Sequence, residues 1–477
     1  VKTMQYKWIA LTNTTICVLM ASLDANILII ALPRLVPDLH VSLIETIWII
    51  LSYGLVTSSV LLSFGRLADM FGRVKLYNFG LVLFTIASFL CSLAQTGTEL
   101  ILFRILQAFG AAFLFSNSAA ILTDAFDVKE RGKALGLNQV SIVIGSALGL
   151  VLGGILTETL GWRAIFWVNI PIGVFAIVWS RAKLRELGTI IKGKIDWIGN
   201  SILVTGLVMI MLGITFGSLQ VVNFFVSLFL LAGGFGMLVL FGYVESKVKE
   251  PMFDLSLFKI RFFSAGNITI FLNALARGAL VLIMAFYLQG PSMRLTPFTA
   301  GLYLIPVSFT IATFGPISGW LSDKYGSRFL TVLGLVVSAI GFLMLSQIGP
   351  KTGFGDLVLP LSLVGTGMGL FASPNRSSIM NSVPPQRRGV AAGMSTTLVT
   401  LGNMISLGIS FALLASTVPL YELESIFLGS PGNLNTEAAI PLFIKSIHLI
   451  FYLSTFVLII SIIPAIVQRS QKEHVIY

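Results

Sequence analysis

The chain has 477 residues, of which 56% are apolar and only 11% charged, and its mean hydropathy is +0.93. A soluble chain carries about 25% charged residues, so a sizeable soluble domain is excluded. The net charge of +11 does not mark a nucleic-acid binder, because Lys and Arg stand in short clusters between apolar runs and form no basic face.

An apolar run of roughly 20 residues crosses a bilayer as a helix. We read fourteen such runs in chain order, near 8–33, 43–65, 76–95, 99–122, 134–157, 163–181, 196–216, 224–243, 262–289, 298–321, 329–348, 357–381, 389–416 and 440–467. The first carries Asp24 and is followed by no small-residue cleavage site, so it is expected to stay in place as a span. An even number of spans puts both termini on one side. About 23 Lys and Arg residues fall in the loops of that side, against about four (Arg34, Arg163, Arg294, Lys351) on the other. This bias predicts a multi-pass protein of the cell membrane with both termini cytoplasmic. Cys17 and Cys91 both lie inside apolar runs and read as small core residues without a disulfide.

After the second span the chain reads Gly65-Arg66-Leu67-Ala68-Asp69-Met70-Phe71-Gly72-Arg73. It reads Gly319-Trp320-Leu321-Ser322-Asp323-Lys324-Tyr325-Gly326-Ser327 about 254 residues later. Six spans with their loops need roughly 190 residues, so the surplus is about two spans. The predicted organisation is therefore a six-helix bundle at 1–181, a linker with two extra transmembrane helices at 182–245, and a second six-helix bundle at 246–477. The two glycines of the loop permit a tight turn. Asp69 is placed to face the positive N-terminal end of the thirteenth span, around 389–393, and so to latch the cytoplasmic side. Arg73 is placed to pair with Asp124 at the end of the fourth span. The plain alternative is a solvated turn whose charges only set topology.

Polar residues within spans are costly and mark function by default. Asp24 is the carboxylate deepest inside a span. Arg104, entering from the opposite direction, lies within about 5 Å of it in depth at 1.5 Å per residue, so the two form a candidate proton-coupling pair or else a structural ion pair. Arg277 lies too deep to snorkel easily, whereas Arg376, near a span end, either snorkels or lines a cavity. Asn26, Gln107, Asn117, Asn273, Tyr287, Gln289 and Asn375 join Arg277 and Arg376 as candidates for a substrate cavity, or else bond helix to helix. Gly145, Gly149, Gly153 and Gly154 line the fifth span, as a packing face or as a functional one. No phosphate-binding loop of the G-x-x-x-x-G-K-[ST] kind is present, and His40, His448 and His474 stand far apart with no metal-ligand spacing. No Ser/His/Asp constellation is visible, so an enzyme is not expected, and neither is a receptor.

The Gly65–Arg73 segment resembles the signature of the major facilitator superfamily. Leu23-Asp24-Ala25-Asn26 through Pro33, Leu100 to Ala112 with Arg104, Gln107 and Gly110, and Gly161-Trp162-Arg163 through Asn169 to Gly173 are similar to segments of its fourteen-span drug:H+ antiporters. The resemblance covers essentially the whole chain. It implies an all-α integral membrane fold of two six-helix bundles plus an inserted helix pair, proton-driven export of a small lipophilic solute by alternating access, no cofactor beyond the proton gradient, and a monomer in the bilayer with no nucleic-acid partner. The sequence departs from the family at Asn26 and Ile29, where Thr and Asn are usual, and at Leu150, where the fifth-span proline would stand. Loss of that proline leaves the direction of transport open. A dedicated carrier for an anionic or amphiphilic metabolite or lipid precursor is the second reading.

Overall fold

Inside a bilayer every backbone N–H and C=O must find its partner within the chain, so apolar runs fold as helices. The computed structural model describes residues 6–127, 130–188, 190, 196–248, 251, 253–384, 387–420, 422–423, 426 and 436–467. Of the basic residues counted above, Lys2, Lys129, Lys192, Lys194, Lys249, Arg469 and Lys472 lie outside this set.

The helices in order are α1 (Tyr6–Asp38), α2 (Leu43–Phe71), α3 (Arg73–Leu93), α4 (Gly97–Ala125), α5 (Arg131–Thr159), α6 (Ala164–Trp167), α7 (Asn169–Lys183), α8 (Trp197–Ser218), α9 (Phe224–Lys247), α10 (Arg261–Arg277), α11 (Leu280–Gln289), α12 (Pro297–Tyr325), α13 (Ser327–Leu345), α14 (Phe354–Asn381), α15 (Arg388–Thr417) and α16 (Thr436–Val467). Among the described residues there is no strand. Thirteen segments of the described residues are long and apolar enough to cross a membrane, α6 with α7 and α10 with α11 each counting as one, and α5 adds the apolar stretch Ile144–Thr159. The protein is an all-α, multi-pass membrane protein.

Helix α2 runs on to Phe71, well past the expected end near residue 65. Gly65, Arg66 and Asp69 are therefore helical, and only Gly72 turns the chain. Its φ of 105° belongs to the left-handed region that a β-carbon disfavours, while its N–H still reaches Ala68 O at 2.9 Å. The same turn recurs at Gly326, with φ 87° and its N–H 2.9 Å from Ser322 O.

The chain divides into two compact units, residues 1–204 with 296–301, and 205–295 with 302–477. In the first, α1 lies along α5, and α4 lies against both α2 and α3. The α1–α5 approach depends on missing side chains. A β-carbon at Gly145, Gly149 or Gly153 would stand 2.5, 2.6 or 2.8 Å from the carbonyl oxygen of Leu19, Leu23 or Ile27. Three glycines four residues apart thus form a seam where two backbones touch. Gly154 lies off this seam, against the backbone of Pro297 and Phe298. With Leu150 in place of proline, α5 continues as one helix from Arg131 to Thr159.

In the second unit, α10 packs on α15 and α16, and α13 on α14 and α16. Helices α8 and α9 pair through small residues, and Ser227 Oγ donates to Gly213 O at 2.8 Å. Only 11% of the most apolar window of α9 is buried. Phe224, Phe225, Phe229 and Val239 are exposed on it, which suits a helix facing lipid.

Candidate functional site

Asp24 sits near the middle of α1 with no exposed surface. An ionised carboxylate there needs opposite charge and hydrogen bonds on both oxygens, and two helices supply them. From α4, Arg104 Nη1 donates to Asp24 Oδ2 at 2.5 Å, and Gln107 Nε2 donates to Oδ1 at 2.9 Å. From the first turn of α7, Asn169 Nδ2 donates to the same Oδ1 at 2.6 Å. Arg104 and Gln107 are three residues apart and so share one face of their helix, where Arg104 Nη1 also donates to Gln107 Oε1 at 2.7 Å. Ser88 Oγ, on α3, accepts from Gln107 Nε2 at 2.8 Å.

The guanidinium has a second anchor. Arg104 Cζ lies 4.2 Å from the centroid of the Tyr53 ring on α2, an arrangement in which the ring's negative face meets the cation. Two atoms of the cluster lack a hydrogen-bond partner, Arg104 Nε and Asn169 Oδ1. The network is therefore closed around the carboxylate yet holds spare donor and acceptor capacity for a rearranged state. Asn169 and Ser88 were not among the residues singled out from sequence. Asn169 lay in a quoted motif, but its role depends on the packing of α7 against α1, which sequence does not show.

A second charged cluster lies where α2 meets α3. Arg73 Nε donates to Asp69 Oδ1 at 2.8 Å, and its Nη1 donates to both oxygens of Asp124, on α4, at 2.6 and 2.8 Å. Glu186, just beyond α7, accepts from the N–H groups of Arg73 and Val74 at 3.0 and 2.9 Å. A carboxylate there satisfies orphan donors at the α3 N-terminus and suits its dipole. Gly72 leaves room for it, since a β-carbon would stand 2.8 Å from Glu186 Oε2. Gly65 lies about two turns before Gly72 on α2, facing Ser116 of α4.

The remaining candidates divide between the two units. Asn26 and Asn117 donate to carbonyls of their own helices, Ser22 O at 3.3 Å and Phe113 O at 2.8 Å. In the second unit, Asn375 Nδ2 donates to Gly266 O at 3.2 Å. Tyr287 is fully buried; its hydroxyl donates to Gly349 O at 2.8 Å and accepts from Thr352 N–H at 3.2 Å, tying α11 to the α13–α14 turn. Gln289 ends α11, partly buried, and Arg376 is exposed near the end of α14. Asn273 is buried on α10, and Arg277, one turn on, is partly exposed. Gln139, a further polar residue within the fifth span, has its side chain outside the described residues.

The sequence profile of the Major Facilitator Superfamily matches residues 14–407. The chain is 33% identical to the riboflavin transporter RibZ of Clostridioides difficile over 415 residues, which cover 86% of this chain and 88% of that one. It is 30% identical to multidrug resistance protein 3 of Bacillus subtilis over 434 residues, covering 88% and 82% of the two chains. Among solved structures, a bacterial homologue of the human lysosomal transporter Spinster, inward-facing and unoccupied, superposes with a TM-score of 0.70 at 15% identity. That match covers 99% of this chain and 100% of the other.

Proposed function

The chain belongs to the Major Facilitator Superfamily, and we propose that it is a proton-driven exporter of small lipophilic solutes, of the fourteen-span drug:H+ antiporter type, seated in the cell membrane with both termini cytoplasmic. It is a transporter and not an enzyme. The observation that carries the proton-coupled reading is Asp24, a carboxylate with no exposed surface, held by one cation and two amides that come from different helices. Those helices need only shift for the donors to part. A carboxylate that loses its cation in a dry setting takes up a proton, and one that regains it gives the proton back. Alternating access supplies such a shift. The multidrug resistance relative supports export of varied compounds.

The second reading is a dedicated carrier for an anionic or amphiphilic metabolite. It is favoured by Arg277, by Leu150 and by the riboflavin transporter among the relatives. One experiment separates the two. Vesicles containing the protein are given a pH gradient and screened over cationic, neutral and anionic lipophiles of matched size. Broad flux that disappears in Asp24→Asn supports the exporter, and flux of a single class supports the dedicated carrier. Proton release on substrate addition in detergent, equal in wild type and Asp24→Asn, would remove Asp24 from the mechanism.

A further inference from the structure

The second unit contains a charged side chain that the coupling network does not use. Arg277 is the last residue of α10, about 24 Å from Arg261 and about 18 Å before Gln289 along the span at helical rise, so it lies near mid-membrane. Among the described residues no carboxylate pairs with it and no hydrogen bond to it is formed. The acids that precede α10 in the chain lie toward its other end and are engaged there: Asp254 pairs with Arg387 at 2.7 Å, and Glu245 accepts from Phe253 N–H at 3.3 Å. A guanidinium at this depth without counter-charge is costly, and a protein keeps one there for a purpose.

Its surroundings hold more unused polar capacity. Asn273 precedes Arg277 by one turn on the same face and is 3% exposed, yet its Nδ2 has no hydrogen-bond partner. Burial at Asn273 shows that this face is packed within the protein one turn away, while Arg277 keeps part of its surface accessible. The helix is interrupted just after it. Gly278 and Ala279 are non-helical, and Ala279 N–H donates to Ser406 Oγ of α15 at 3.1 Å. The two helices are pressed together at this point, because a β-carbon on Gly278 would stand 2.6 Å from Asn403 Cα. Asn403 Oδ1 is a further buried atom without a partner. Arg277 and Asn273 thus present donors with no acceptor, beside one acceptor with no donor.

We propose that the α10 face formed by Asn273 and Arg277 is a binding subsite for a single acidic group, a carboxylate, sulfonate or phosphate monoester, on the transported solute. The guanidinium fork takes the two anionic oxygens, and the Asn273 amide donates to one of them. Asn403 Oδ1 accepts from a hydroxyl or amide of the same molecule. The inference rests on the transport reading but is tested apart from it.

The probes are tritiated naphthaleneacetate and two unlabelled compounds on the same ring, naphthaleneacetamide and naphthylethylammonium, bound to the full chain in phosphatidylcholine nanodiscs. The acid binds roughly tenfold to a hundredfold more tightly than the amide, as one charge-assisted hydrogen-bond set would give. Arg277→Gln weakens the acid to the level of the amide while leaving the amide unchanged, which also shows that the variant is folded. Arg277→Lys keeps part of the preference, because it retains the charge without the fork. Equal affinity for acid and amide, no measurable binding of the acid, or acid binding indifferent to Arg277→Gln overturns the proposal. So does an Arg277-dependent gain in stability that appears only with anionic lipid in the disc. An acid that binds in nanodiscs but is not moved across sealed vesicles sinks the transport reading and leaves the subsite standing.

Discussion

Asp24 has three donors of unequal kind, and their removal should have unequal effects. Losing Arg104 leaves a buried carboxylate without its cation. Breaking one side of a buried ion pair destabilises by about 3–5 kcal/mol, whereas replacing both sides with apolar residues of similar volume is often neutral. Arg104→Ala should therefore lower the thermal midpoint sharply, and the double variant Asp24→Leu/Arg104→Met should restore it without restoring transport. A double variant as unstable as the single one would show that the pair is not the principal partner of either residue. Arg104→Lys should rescue activity only in part, because a lysine cannot reach Asp24 Oδ2 and Gln107 Oε1 as the guanidinium does. Much of this site was legible in the sequence. Rise per residue puts the carboxylate and the arginine of two opposed helices at matching depth, and the packing of α1 against α4 then brings them together. Asn169 was not legible in the same way. An asparagine near the start of a span reads as a surface residue, and only the packing of α7 on α1 brings it to Asp24. Ser88 is one of many serines in apolar helices, most of which bond back to their own carbonyls, as Ser88 itself does to Phe84 O at 2.8 Å.

At the scale of the helix, the glycine seam and the inserted pair set the clearest expectations. Gly149 faces the carbonyl of Leu23, the residue beside Asp24. Gly149→Ala should push α1 off α5 and destabilise by about 1–3 kcal/mol, as overpacking does. It should also disturb coupling, through the displaced carboxylate. Gly236→Ala on α9 is the control, since nothing lies within 4 Å of its missing β-carbon, and it should be neutral or stabilising by up to about 1 kcal/mol. Equal thermal shifts in the two variants would count against the seam. The four-residue spacing of the glycines was visible in sequence, but which helix they touch was not, because small residues suit any close neighbour. Asn223 has a local role that hydropathy does not register: its Oδ1 accepts from Val226 N–H at 2.9 Å and caps α9. Asn223→Ala should lower stability by about 1 kcal/mol while leaving the substrate profile unchanged; an altered profile would place α9 in the cavity wall.

For the whole molecule, the internal repeat was the strongest feature of the sequence, and the matching turns at Gly72 and Gly326 carry it into the backbone. The charges do not repeat with it: Arg73 bonds Asp69 and Asp124, while Ser327 stands in the corresponding place. Hydropathy located the spans because lipid imposes a length. It misplaced the end of α2, because a helix that leaves the bilayer in a polar, well-bonded form carries no hydrophobic signal. The proposed latch is tested by Asp69→Asn, which should increase labelling of a cysteine introduced on the cytoplasmic side and slow transport. Asp124→Asn should do more damage to folding, since Asp124 takes two of the arginine's hydrogen bonds. Unchanged labelling in Asp69→Asn would dismiss the latch. The sealing of Asp24 has a kinetic corollary. A carboxyl group with no exposed atom exchanges hydrogen with solvent only during an excursion of the bundle, so for an exporter coupled through Asp24, as proposed, the slow step of turnover would be set by the frequency of that excursion and not by bond breaking at oxygen. Turnover at saturating pH gradient should then be the same in H2O and D2O once viscosity is matched, and a large isotope effect would mean that water reaches the carboxylate by a standing wire.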